Sequence, residues 1–177
     1  MVDVDGVISL FGGWERSRLI PASAAPGGAA QAAGQPLDGS FHSIEGIPHF
    51  LSATAAAHLL DLGALFELVW ASGWEERANE HLPHLLGLPP ALPFLRFERA
   101  VGGREGARAH WKLDAIDAYA GGRALAWIDD ALDGACEQWA RARKAPTLLV
   151  QTAPERGLTD AEALRLSRWA SALGQAS

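Results

Sequence analysis

The sequence predicts a three-layer α/β fold, a parallel sheet with helices on both faces. Two observations carry that expectation. From residue 53 to the end, short apolar segments of strand character alternate with amphipathic segments of helical period, the order that parallel strands joined by crossover helices produce. Polar residues far apart in the chain also recur just after those strand-like segments. Asp3 and Asp5 follow the first, Ser72 the second, and Asp129 with Asp130 a later one. Parallel sheets take ligands at the carboxyl ends of their strands, so these residues are expected along one rim.

Residues 2–4 read as a strand that runs into a tight turn at Gly6, although only two residues precede Asp3, which is short for a central strand. Residues 12–40 are rich in Gly, Ala, Ser and Pro, and 21–39 lack any apolar period, the composition of a flexible loop. Residues 41–51 regain apolar content and read as a strand or a hairpin. The stretch 12–50 is therefore expected to be a loop or flap inserted into a single domain spanning 1–177. It is either a minimal cap over a site or a surface excursion.

The remaining elements follow from period and punctuation. Residues 53–62 form an expected helix, capped by Ser52 or Thr54 and stopped by Gly63. A buried strand at 65–71 and a helix at 74–86, stopped by Gly87, come next. A short strand at 92–97, a charged Gly-rich loop at 102–106 and a helix at 111–119 closed by Gly121 and Gly122 follow. A strand at 124–128, a helix at 132–143 and a strand at 147–151 lead to a terminal helix at 159–173. There Thr159 and Glu162 have the spacing of a capping box.

Composition narrows the function. The chain has 177 residues and a net charge of −6, which argues against tight non-specific binding to nucleic acid or anionic membrane but leaves room for a local phosphate pocket. Cys136 is the lone cysteine, so neither an intrachain disulfide nor a thiolate metal cage is available. No apolar run reaches the ~18 residues of a membrane span. Acids stand where the positive end of a secretion signal would be. The cytoplasm is the expected location, and no obligate protein partner is evident.

Carboxylates converging on one rim repel one another unless a cation lies between them or some are protonated. All-oxygen donors favour a hard ion, and Mg²⁺ is the usual one beside phosphate. In such a site Asp3 can attack phosphorus, Asp5 can shuttle the proton, and Gly6 permits the turn that brings them together. Ser72 can hydrogen-bond a phosphoryl oxygen. Lys112 is the candidate cation for the charge that develops on phosphorus.

These residues carry a resemblance. Asp3-Val4-Asp5-Gly6-Val7-Ile8-Ser9 matches the first motif of the haloacid dehalogenase-like (HAD) superfamily. Val69-Trp70-Ala71-Ser72 resembles its second, Lys112 its third, and Trp127-Ile128-Asp129-Asp130 its fourth. Segments 68–75, 77–79, 110–112, 126–130 and 146–150 are similar to the HAD domains of Swiss Army Knife RNA-repair proteins. The resemblance implies a Rossmann-like sheet and a Mg²⁺-dependent phosphatase with a phosphorylated substrate, a small molecule or a nucleic-acid end. It implies Asp3, the Asp5 backbone carbonyl and one acid of the Asp129-Asp130 pair as metal ligands; Asp130 is favoured as the direct one and Asp129 as the one acting through water. It also implies Asp3 and Asp5 as nucleophile and acid/base, assisted by Ser72 and Lys112, with Ser72, Gly73, Trp74 and Lys112 at the substrate. The alternative is a catalytically silent module that keeps the fold.

Several residues have a plainer reading beside the functional one. Trp70, Trp74, Trp111 and Trp127 suit core and rim packing, with stacking of Trp74 or Trp111 on substrate as the alternative. Arg77 and Asn79 either orient substrate or make a surface ion pair and a helix contact. His81 and His84 share a helix with Pro83 between them, a poor zinc pair. His110 either touches substrate or makes a structural hydrogen bond.

Overall fold

In the computed structural model, residues 1–11, 38–97 and 109–175 are described. Most of the expected 12–50 insert and the 102–106 loop lie outside them. The chain is a mixed α/β structure in which one parallel and one antiparallel sheet are joined by helices.

The antiparallel sheet contains β1 (Ser9–Leu10), β2 (Gly39–Ile44) and β3 (Ile47–Ser52), in the order β1-β3-β2. Strands β2 and β3 pair from Gly39↔Ser52 to Ile44↔Ile47 around a two-residue turn. Both turn residues, Glu45 (φ 52°) and Gly46 (φ 82°), are left-handed, the hairpin geometry that matches the right-handed twist of the strands. The 39–52 segment is thus a hairpin, one of the two forms expected of residues 41–51.

Helix α1 (Ala53–Leu62) starts directly from β3, where the Ser52 hydroxyl accepts the Ala55 N–H at 3.1 Å. Helix α2 (Arg77–Leu86) ends on Gly87 in the left-handed conformation. A 3₁₀ turn (Ala109–Lys112) leads into α3 (Leu113–Ala120). Strand β4 (Leu125–Asp129), α4 (Gly134–Ala142, capped by Asp133), β5 (Thr147–Gln151) and α5 (Asp160–Gln175) complete the order. The Thr159–Glu162 capping box is present: the Thr159 N–H and hydroxyl both donate to the Glu162 carboxylate.

The parallel sheet is small. β4 and β5 form its one continuous ladder, from Leu125↔Thr147 to Asp129↔Gln151. Single parallel bridges extend it, Val2 to Ile128 on one side and to Trp70 on the other, and Trp70 to Phe94. The short first segment is therefore held from both sides: Asp3 N–H donates to Ile128 O at 3.0 Å and Val2 N–H to Val69 O at 2.9 Å. Three expected elements shrink accordingly. The 2–4 strand reduces to the bridge at Val2 and the 92–97 strand to the bridge at Phe94. Residues 63–66 are turn and bend, leaving only the end of the expected 65–71 strand extended. The expected helix at 74–86 begins three residues later, because residues 73–76 are spent on a turn.

Alternation along the strands sorts the core into two clusters. Val2, Trp70, Ile128 and Val150 pack with Leu59 of α1, Leu82 of α2 and Leu166 of α5. Met1, Val69, Ala71 and Trp127 pack with Ile116 of α3 and Cys136 of α4. Successive strand residues point to opposite faces, so helices are recruited to each. Among the described residues no helix is long and apolar enough to cross a membrane.

Candidate active site

The turn after the first bridge is built by its own backbone. Val4 O accepts N–H groups from Val7, Ile8 and Ser9, and Gly6 N–H donates to Ser9 O at 2.8 Å. Gly6 is required on two counts. Its φ is +69°, and a Cβ there would stand 2.4 Å from the Asp130 carboxyl carbon. Thr152 secures the turn from β5's end: its hydroxyl donates to Gly6 O at 2.8 Å, and its N–H to Asp129 O at 3.2 Å.

Asp3, Lys112 and Asp129 form a buried triangle. Lys112 Nζ lies 2.8 Å from Asp3 Oδ2 and 2.7 Å from Asp129 Oδ2. Lys112 is 3% exposed and Asp129 0%, so water contributes little to their solvation. The free carboxylate oxygens are also used, with Asp3 Oδ1 accepting Val4 N–H at 2.8 Å and Asp129 Oδ1 accepting Ala131 N–H at 2.9 Å. Burial pushes the Asp3 carboxyl well above the ordinary range. Lys112 and the Ser72 hydroxyl pull it down, while the Asp129 charge adds to the rise. Burial alone would lower Lys112, but its two carboxylate partners outweigh that and hold it above its usual value. Ser72 is buried and accepts Trp74 N–H at 3.4 Å, so it caps the turn, and its hydroxyl is near enough to help lower the Asp3 carboxyl.

Asp5 stands at a different depth. It is half-buried, and its Oδ2 accepts the Trp74 indole N–H at 3.0 Å. Burial raises its carboxyl, and the bond from Trp74 offsets part of that. The Trp74 ring meets His49 edge-on at 5.0 Å, and His49 Nδ1 lies 2.9 Å from the Ser9 hydroxyl. This chain of contacts anchors the hairpin to the turn that carries Asp5.

A family model for the HAD domain in Swiss Army Knife RNA repair proteins matches residues 1–163. The chain belongs to that family. No curated protein and no solved structure matches it.

Within this HAD domain the motif residues named from the sequence meet in space. Asp3, Ser72, Lys112 and Asp129 share direct contacts, and Asp130 lies beside them. Lys112 reaches the site from the start of α3, as its N-cap residue at the end of the 3₁₀ turn. Trp74 is buried, with its indole N–H spent on Asp5, so its ring is not an open stacking platform. Gly73 borders a cleft and has open space where a Cβ would stand. Asn79 is structural: Oδ1 accepts from Trp70 Nε1 and Leu92 N–H, and Nδ2 donates to Leu92 O. His110 bonds Asp133 at 2.7 Å and holds that carboxyl down at about 2. Together with Ala109 N–H on Ala131 O, this ties the Lys112 turn to the loop after β4. Burial pushes the Cys136 thiol up to about 11, which removes it as a nucleophile. Sequence reasoning missed Thr152 and His49, whose only signal is their position beside the strand end and in the hairpin.

The donor set fits a hard divalent cation. Asp3, Asp129 and Asp130 each offer a carboxylate oxygen, all within 4.8 Å of one another, and among the described residues this is the acidic cluster so arranged. The Asp130 carboxyl is raised by burial first and by the Asp129 charge second, while Lys112 pulls it down.

Proposed function

We propose that this HAD domain is a Mg²⁺-dependent phosphohydrolase working through an aspartyl-phosphate on Asp3. The proposal adopts the three-layer, Rossmann-like reading of the fold, supported by the two-faced core. The single observation that carries it is the burial of Asp3 against Lys112 and Asp129, with a second acid, Asp5, two residues on and nearer solvent.

The chain's own groups divide the reaction. The Asp3 carboxylate attacks phosphorus, forming the Asp3–phosphate bond as the bond to the leaving oxygen breaks. Asp5, whose proton is favoured by burial, gives it to that oxygen. Water then loses a proton to Asp5 and attacks the phosphorus, the Asp3–phosphate bond breaks, and inorganic phosphate departs. Lys112 fixes the Asp3 carboxylate and supplies positive charge beside the phosphoryl oxygens, and the Ser72 hydroxyl adds a donor. Asp3, Asp130, the Asp5 carbonyl and, through water, Asp129 would hold Mg²⁺, which screens the repulsion between carboxylates and phosphate. Asp130, half-buried beside the fully buried Asp129, is taken as the direct ligand and Asp129 as the one reached through water.

The substrate class proposed is a nucleotide or a nucleic-acid end phosphate, on the strength of the family's description. The test is phosphate release from 4-nitrophenyl phosphate with Mg²⁺. Asp3→Asn should abolish it with the fold intact, and undiminished release by that variant would sink the mechanism. No Mg²⁺ binding and no hydrolysis across a panel of phosphate esters would instead establish the silent module.

A further inference from the structure

Beside Asp5 lies a cleft of about 310 Å³ between the β2–β3 hairpin and α2, lined by Ile44, Ile47, His49, Trp74, Arg77 and His81 together with Asp5, Glu45 and Gly73. Building on the phosphatase reading, we infer that this cleft receives the leaving group of the phosphate ester and selects one that carries a second anionic group, held by Arg77.

Position comes first. Asp5 delivers its proton to the leaving oxygen, so the leaving group must lie on the Asp5 side of phosphorus, and Asp5 forms part of the cleft wall. Size is next. A volume of 310 Å³ is at the small end for ligand sites, room for about one ring and its substituents. Ile44 and Ile47 supply apolar wall for such a group.

Charge supplies the specificity. Arg77 is the guanidinium of the cleft, and its partner is Glu45 at the hairpin tip, 2.5 Å away. The two side chains are 46% and 50% exposed, so their pairing contributes little and another anion can replace the carboxylate. A guanidinium presents several donors in a plane, suited to two oxygens of a carboxylate or phosphate. The neighbouring wall adds two imidazoles. His81 Nε2 is buried with no hydrogen-bond partner among the described residues, and His49 lies edge-on to Trp74. Lys112, by contrast, is committed to two buried carboxylates and cannot serve a second anion. Glu45 then acts as an internal competitor. Its charge excludes anions not placed to displace it, and its removal frees Arg77.

The probes are benzylphosphonate and its 2-, 3- and 4-carboxy derivatives, which cannot be hydrolysed, titrated calorimetrically into the whole chain with Mg²⁺. The best carboxylated isomer should bind at least about tenfold tighter than the parent. Arg77→Gln should erase that preference and Arg77→Lys should restore part of it. Glu45→Gln should tighten the carboxylated isomer severalfold, a sign that a merely structural latch would not give. Equal affinity for all four probes, no saturable binding of any, or weaker binding in Glu45→Gln would each overturn the assignment. Hydrolysis of the matching aryl phosphates, run in parallel, separates the two readings. A binding preference without turnover removes the phosphatase and leaves the cleft, and turnover without preference does the reverse.

Discussion

An inner ionic triad and an outer ion pair flank Asp5, and they differ in almost every physical respect. On one side Lys112 bridges Asp3 and Asp129 where all three are buried and every carboxylate oxygen of the two acids has a partner. On the other, Arg77 meets Glu45 where both are about half exposed. Inside, the desolvation already incurred by three charges makes each dependent on the others, and losing one leaves an uncompensated charge. Outside, water can take over from either partner. On the proposed mechanism the difference gives the two ends of the site different tasks: the inner triad keeps reacting groups in one geometry, and the outer pair is free to exchange with a ligand.

The largest expected effect tests the inner region by chemistry. Asp3→Asn should lower kcat for aryl phosphate hydrolysis by at least about a thousandfold, as loss of a nucleophile does. Retained turnover would mean that another group attacks. Next is stability. Lys112→Met should cost about 3–5 kcal/mol in urea unfolding, because two buried carboxylates then lack their cation. A cost under about 1 kcal/mol would show that the inner region behaves like the outer one.

The inner acids also set a pH dependence. The Asp3 carboxyl is raised in the fold, so the folded chain holds a proton there that the unfolded chain has lost. The stability it contributes is complete below the unfolded value and disappears as pH rises through the raised one. In a chelator, the melting temperature should therefore climb as pH falls from 8 toward 5, and Asp3→Asn should flatten that climb. A metal-free chain that loses stability over the same interval, with no change in slope in the variant, would contradict the raised carboxyl.

How far the sequence anticipates this depends on what each residue does. Asp3, Asp5, Ser72, Lys112 and the Asp129-Asp130 pair are legible because few backgrounds place those groups after apolar segments in that order. β4, β5 and the helix ends at Gly63, Gly87 and Gly121 are legible because period and punctuation agree there. Residues 65–66 mislead because the apolar run begins at Leu65 and Phe66, although Leu65 is exposed and only Phe66 packs on the core. The hairpin turn is obscured because Glu45, not Asn or Asp, takes the first left-handed position. The Trp74–Asp5 bond joins residues 69 apart, and nothing local marks it.

That bond links the two regions and yields a smaller effect. Trp74→Phe removes a donor to the Asp5 carboxylate, so Asp5 should hold its proton to higher pH. The alkaline limb of the kcat/KM profile should move upward, while kcat at its optimum falls less than about tenfold, the worth of one hydrogen bond. An alkaline limb that stays in place would separate Asp5 from the proton transfer.

The smallest effect is the sharpest test of the contrast. In a double-mutant cycle on unfolding, Arg77→Gln and Glu45→Gln should couple by less than about 1 kcal/mol, since both side chains keep half their surface in water and gain little from each other. The hairpin does not rest on that pair. It is held by six paired positions along β2 and β3, by Ser9 on His49, and by His49 against Trp74. Coupling near the 3–5 kcal/mol expected of a buried pair would mean that the hairpin tip is pinned and Arg77 is not free to leave Glu45. Weak coupling leaves, beside the proposed general acid Asp5, a guanidinium whose present partner is readily given up.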